Sequence, residues 1–331
     1  MSPRFLHVAN GSATTKLIKA AGIPGQLSIW ADPLYEGPVP GDIADAELIR
    51  VRAGFLASPS EDAAAVERGI RRWREVIDDT ESYDELVLWF EHDLFDQLCL
   101  IQLLSWTKPR LPASRLVRLI EIGAFSGHPA FKGLGELAPG DLVSLLGSRA
   151  AITDERYALA ARAWTAFRAA SPEALEDFRR SNTTAMPFLS PALKRFLEEY
   201  PWTIDGLSRS ERRLLAIASS GEVDLWTAFV RMHEGETAYY ITDGSFLALL
   251  QEFSRCSPPL ISVTTSLAVD RIPDGRIALT ERGRAVLNGD LDRVATYGID
   301  RWFGGVHLTA EMGGWRWNDA EQRIVNVEPR T

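Results

Sequence analysis

Leu86-Val87-Leu88-Trp89-Phe90-Glu91-His92-Asp93-Leu94-Phe95-Asp96-Gln97-Leu98, running on through apolar residues to Leu104, reads as strand, charged turn and helix. The first apolar run has strand length, Glu91-His92-Asp93 interrupts it, and the second run is long enough for a helix. A sheet lying under helices has buried strands and carries its functional groups beyond their carboxyl ends. The turn at 91–93 is therefore where chemistry is expected.

Upstream, Arg4 to Ala9 is a strand, Asn10-Gly11-Ser12 a turn, and Thr14 to Ala21 a helix closed by Gly22. Gln26 to Ala31 is a second strand ending at Asp32, which makes a parallel βαβ unit. Asp32 to Gly41 is a stiff loop, because prolines at 33, 38 and 40 remove donors and fix φ. Ala44 to Ala57 contains a helix, and a further helix with Ser60 as N-cap carries Val66, Ile70, Trp73 and Ile77 on one stripe. Downstream, Leu116 to Ile122 is a fourth strand.

From Pro139 the pattern is helical, and Pro201-Trp202-Thr203 with Gly206 reads as a joint. Beyond it come three helices, the third with Asp243 as N-cap, then strand-like Leu260 to Thr265 and Arg276 to Leu279, and a hairpin over Trp315 to Val327. The expected fold class is α/β: a parallel-sheet N-terminal domain at 1–138, a helical middle at 139–206 and a winged-helix-like C-terminal domain at 207–331.

The 331-residue chain is 46% apolar and 24% charged, as a globular protein is, and no segment approaches the roughly 18 uninterrupted apolar residues of a membrane span. No leader pattern precedes the first strand, so a cytoplasmic location and no membrane partner are expected. Cys99 and Cys256 stand far apart in apolar contexts and read as inert thiols. A net charge of −9 disfavours, without excluding, a nucleic-acid partner. The clusters Arg71-Arg72-Trp73-Arg74 and Arg209, Arg212, Arg213 read as solvated helix faces.

Glu91 and Asp93 can share one side of the strand end while His92 points away. Two carboxylates in one crevice can divide acid and base roles or hold a hard divalent cation, so a metal cofactor is possible. Asp93 also reads as the cap of the following helix, with Asp96 favouring its first turn. Asn10-Gly11-Ser12 presents backbone N–H groups to an anion, but it is neither a P-loop nor a dinucleotide fingerprint. His7 on the first strand and Asp32 and Glu36 in the stiff loop complete the candidate set.

Three stretches carry a resemblance: His7-Val8-Ala9-Asn10-Gly11, Trp30-Ala31-Asp32-Pro33-Leu34-Tyr35-Glu36-Gly37-Pro38-Val39-Pro40, and Trp89 to Leu98. They resemble the signature stretches of the bacterial domain-of-unknown-function 1835 family, and 298–305 resembles its companion region. In that family the first motif commonly continues Asp-Ser, where this chain has Ser12 and Ala13. The resemblance brings no activity with it.

The leading expectation is an enzyme binding an anionic small molecule, a nucleotide or phosphoester, with Glu91, His92 and Asp32 catalytic and His7, Asn10, Gly11, Ser12, Glu36, Asp93 and Asp96 binding the ligand. The alternative is a ligand-responsive regulator whose C-terminal domain binds DNA or protein. The oligomeric state is not legible.

Overall fold

The computed structural model describes residues 3–58, 61–267, 271–309 and 314–327. Strand β1 (Phe5–Ala9), helix α1 (Ser12–Ala20) and strand β2 (Gln26–Ile29) form the expected parallel βαβ unit, with Ala9 opposite Ile29. The proline-rich loop carries a two-residue strand, β3 (Gly37–Pro38), and leads into α2 (Asp45–Leu56) and α3 (Ala63–Asp78). Asp62 caps α3 by accepting the Ala65 N–H at 2.7 Å, while Ser60, the expected cap, lies outside the described residues. The central strand β4 (Glu85–Glu91) is buried at every position and is followed by α4 (Leu94–Thr107).

Next come β5 (Leu116–Ile122), α5 (Pro139–Leu146), the short β6 (Ala150–Ala151), α6 (Asp154–Phe167), α7 (Pro172–Arg180) and α8 (Leu189–Leu197). The main sheet has the order β2-β1-β4-β5-β6, parallel except for β6. The chain leaves β1 toward β2 but leaves β4 toward β5, in opposite directions across the sheet. Right-handed crossovers then put α1 and α4 on opposite faces, and the gap between β1 and β4 is the switch point where α/β sheets hold ligands. Val87 and Trp89 pack with Ile18 of α1, Leu134 and Leu142 on one face. Leu86, Leu88 and Phe90, of the other parity, are fully buried beneath the opposite layer.

The chain forms two compact units rather than three segments: residues 1–193 with 302–307, and residues 194–301 with 308–331. The helical stretch does not stand alone because α6 packs along α4, burying Leu159, Ala160 and Ala163. The second unit contains α9 (Arg209–Ala218), β7 (Val223–Asp224), α10 (Leu225–Met232), α11 (Asp243–Arg255), β8 (Ile261–Val263), β9 (Arg276–Leu279), α12 (Glu281–Leu287) and α13 (Arg293–Tyr297). Its three-stranded sheet runs β7-β9-β8, all antiparallel. Thr242, not Asp243, caps α11, its hydroxyl accepting the Ser245 N–H at 3.1 Å; Asp243 sits one position inside, in the first turn.

The basic clusters are engaged rather than simply solvated. Arg74 pairs with Asp45 and Arg71 with Glu67; Arg209 pairs with Glu198 and Glu236, and Arg212 with Asp205. Finally, β10 (Asp300–Gly304) and β11 (Val306–Thr309) precede a hairpin of β12 (Trp315–Asn318) and β13 (Arg323–Asn326), the last as the sequence predicts. Phe303 and Gly304 pair in parallel with Gly37 and Pro38, and the Val39 N–H donates to the Gly304 carbonyl at 2.8 Å. The proline-rich loop is therefore not wholly irregular, because a late segment of the chain supplies its strand partner. Among the described residues no helix is long and apolar enough to cross a membrane.

Candidate active site

Strand alternation that buries Val87 and Trp89 continues to Glu91, which brings its carboxylate to the end of the same face. There Glu91 Oε1 accepts the Leu134 N–H at 2.7 Å, from a one-turn helix at Leu134–Glu136. Asp93 caps α4, accepting the Asp96 N–H at 2.9 Å. Asp96 folds back: Oδ1 accepts the Glu91 N–H at 2.7 Å and Oδ2 accepts the Asn10 amide at 2.9 Å, while Asn10 Oδ1 accepts the Thr14 hydroxyl at 2.8 Å. Carboxylate oxygens of Glu91, Asp93 and Asp96 all come within 4.8 Å of one another.

Three acids so close, Glu91 and Asp96 buried and Asp93 partly buried, cannot all ionise without a compensating positive charge, because desolvation and mutual repulsion both favour the neutral form. Burial, then the neighbouring Asp93, push Glu91 up to about 7, against an ordinary 4.5. The Leu134 N–H and the Asn10 side chain pull the other way. Burial raises Asp93 as well, and burial followed by the charges of Asp93 and Glu91 raises Asp96 well above its ordinary value. Such a cluster can hold a shared proton, act as an acid–base pair, or bind a hard cation through oxygen.

Not every residue singled out from the sequence joins it. His7 is fully buried in β1; the Trp89 indole donates to its Nδ1 at 3.1 Å, so Nε2 carries the proton and donates to the Pro24 carbonyl at 3.2 Å. Burial also lowers its pKa, which keeps the ring neutral and occupied within the core. Asp32 is buried in a two-pronged ion pair with Arg52, whose other donors reach the carbonyls of Pro33 and Glu36. Its carboxylate anchors the stiff loop, at the residue for which the sequence suggests a catalytic role. Glu36 takes part through its backbone carbonyl, and its neighbour Tyr35 meets Phe95 in the first turn of α4 edge-on at 6.3 Å.

His92 lies between the rings of Phe131 and Phe188, at 6.4 and 6.0 Å, beside the carboxylates rather than among them. Gly11 precedes α1 with a φ of 174°, extended backbone that any residue can adopt, and a side chain added there would meet no protein atom within 4 Å. Ser12 opens α1 on the surface, and no side chain caps that helix.

The sequence reading missed Arg52 and Gly133. A Cβ at Gly133 would collide with Glu91 Oε2, although the extended φ of 174° suits any residue. Gly133→Ala should therefore keep its fold and displace the Glu91 carboxylate. Circular dichroism should match the parent protein while the titration of Glu91, followed by carboxyl NMR, moves toward ordinary values; an unmoved titration would contradict this close approach.

No protein-family model matches the chain, and no curated protein matches it.

Proposed function

We propose that the first unit is an enzyme acting on an anionic small molecule, a nucleotide or phosphoester, at the crevice between β1 and β4. The observation that carries this reading is the meeting of Glu91, Asp93 and Asp96 at the carboxyl end of β4, joined by Asn10 from the carboxyl end of the adjacent parallel strand β1, on the switch point of the sheet. Glu91 and Asp93 would ligate a divalent cation, with Asp96 and Asn10 holding them in place. The uncapped N-terminus of α1, entered through Gly11 and Ser12, would receive the phosphate, where helix N–H groups and the positive end of the helix dipole favour an anion. In the cation-free state Glu91, ordinarily protonated below about 7, has the range of a general base near neutral pH. His92 would orient the substrate from the rim. The resemblance to the domain-of-unknown-function 1835 family belongs to this proposal and adds no substrate to it.

The test is thermal denaturation with Mg2+ or Mn2+, alone and with ADP. A bound ligand at about 100 times its Kd adds about 2.7 kcal/mol to stability. The expected result is a cation-dependent rise in Tm and a further rise with ADP that requires the cation. No shift with either cation or with ADP at millimolar concentration would reject the proposal.

The second unit supports a different role. The order helix, short strand, two helices and two strands, with the first strand beside the last, is consistent with a winged-helix-like module. The surface of α11 exposes Asp243, Glu252 and Arg255, with Glu252 held by Arg293 and Arg301. That balance suits a protein partner better than a phosphate backbone.

A further inference from the structure

Helix α10 divides its side chains between two directions. Leu225, Ala228 and Met232 are buried in the second unit, at the spacing of a helical repeat. Trp226 and Val230, one turn apart and turned away from that layer, are 62% and 46% exposed. Phe229 and His233, both partly buried, continue the same stripe. The Phe229 ring stands 5.7 Å from Trp226, 5.5 Å from Phe246 of α11 and edge-on to His233 at 4.7 Å. His233 Nε2 donates to the Ile241 carbonyl at 2.8 Å, which ties the chain before α11 to the end of the stripe. The core uses neither Trp226 nor Val230, and an aromatic anchor held on a packed footing is the kind of group that carries most of an interface's energy.

Acids border the stripe. Asp224 caps α10, Glu234 follows its last turn, and Asp243 lies one turn before Phe246 on α11. All three are exposed, and among the described residues none has an ion-pair partner; Asp224 and Asp243 accept only backbone N–H groups, of Thr227 and Gly244. The cations nearby are engaged or turned aside. Arg276 pairs with Glu222 at 3.2 Å, and Arg213 serves Glu236 and the carbonyls of Arg231 and Glu234. Arg231 itself is about 140° round the helix from Trp226. Against such a border a nucleic-acid backbone or an anionic membrane is repelled, and a second copy would set its own carboxylates against these. Apolar side chains at helical spacing, flanked by lysine or arginine, match both the stripe and its border.

We propose that the Trp226 and Val230 face of α10 docks a basic amphipathic helix of a partner protein. Its apolar side chains cover Trp226, Phe229 and Val230, and its cations meet Asp224, Glu234 and Asp243. This rests on the protein-partner role of the second unit and is independent of the site in the first, so the cation and ADP measurements can fail without touching it.

The experiment is fluorescence anisotropy of the full chain with a fluorescein-labelled amphipathic peptide of leucine and lysine, its leucines at i, i+3, i+4 and i+7. The same peptide with glutamate for lysine, and a shuffled leucine–lysine peptide, are the controls. Saturable binding of the amphipathic lysine peptide alone is expected. Trp226→Ala should keep the parent Tm, as a surface substitution does, while weakening binding by about tenfold or more. Asp224→Asn, Glu234→Gln and Asp243→Asn together keep the α10 cap, since asparagine also caps, and should weaken binding by about tenfold and remove most of its salt dependence. Absence of saturable binding, equal binding of either control peptide, or an unchanged affinity in Trp226→Ala would overturn the proposal. So would concentration-dependent dimerisation that Trp226→Ala abolishes, which would make a second copy the occupant.

Discussion

Glu91→Gln should make the protein more stable at pH 8 and should flatten its dependence on pH. The folded protein holds the Glu91 carboxyl at about 7, above its ordinary 4.5. Between those values the folded chain retains a proton that the unfolded chain has released, so stability falls as pH rises through that window and stays lower above it. A displacement of this size corresponds to about 3 kcal/mol at full effect. Glutamine keeps the oxygen that accepts the Leu134 N–H and never takes the charge. Urea denaturation at pH 5 and pH 8 should show a gain of about 1–3 kcal/mol at pH 8 and a much smaller change at pH 5. The same variant should lose its response to divalent cations. Equal destabilisation at both pH values would show that Glu91 is held as a satisfied structural carboxylate, and the proposed site would fail with it. A protein that gives up stability at a cluster of acids is expected to use the cluster.

Arg52→Ala should cost about 3–5 kcal/mol, the largest loss expected from any single substitution discussed here. Arg52 and Asp32 are both buried, and removing the cation leaves a carboxylate in the interior without a counter-charge. It also strips the Pro33 and Glu36 carbonyls of their donor, with the Glu36 bond at 2.6 Å. Loss of the anchor should expose residues 33–41 to limited proteolysis before global unfolding, because Arg168, which donates to the Pro40 carbonyl, remains as the other fastening. A change below about 1 kcal/mol would mean that the pair contributes little beyond its own desolvation. Replacing both residues by apolar ones of similar volume should recover much of the loss, since the unpaired charge would then be gone.

These two substitutions also mark how far the sequence reaches. The strand, turn and helix of 86–104 are legible because an apolar run interrupted by charge is a local signal, and strand parity alone carries Glu91 onto the face of Val87 and Trp89. The Asp93 cap is local too. Arg52 is not legible, because an arginine on a helix reads as a surface residue until its partner, twenty positions earlier, is known to be folded against it. The arginines at 209 and 213 mislead for the same reason, their carboxylates at 198 and 236 coming from separate segments. Gly133 carries no mark of which carboxylate it faces, and the two-residue strand at Gly37–Pro38 is too short for any periodicity. The shift of the α11 cap from Asp243 to Thr242 is one position between two residues of capping type. Locally encoded features were thus readable, and long-range partners were not.

The return of residues 302–307 to the first unit sets an order on its biosynthesis. When residue 193 leaves the ribosome, the partner of Gly37 and Pro38 has not yet been made. The intervening residues, 194–301, take roughly 5–20 s to synthesise at common elongation rates. Throughout that interval the nascent first unit carries the Asp32 to Gly41 loop without its last strand. Completion of the fold waits on translation, and a fragment cut after the helical stretch would remain in that unfinished state permanently.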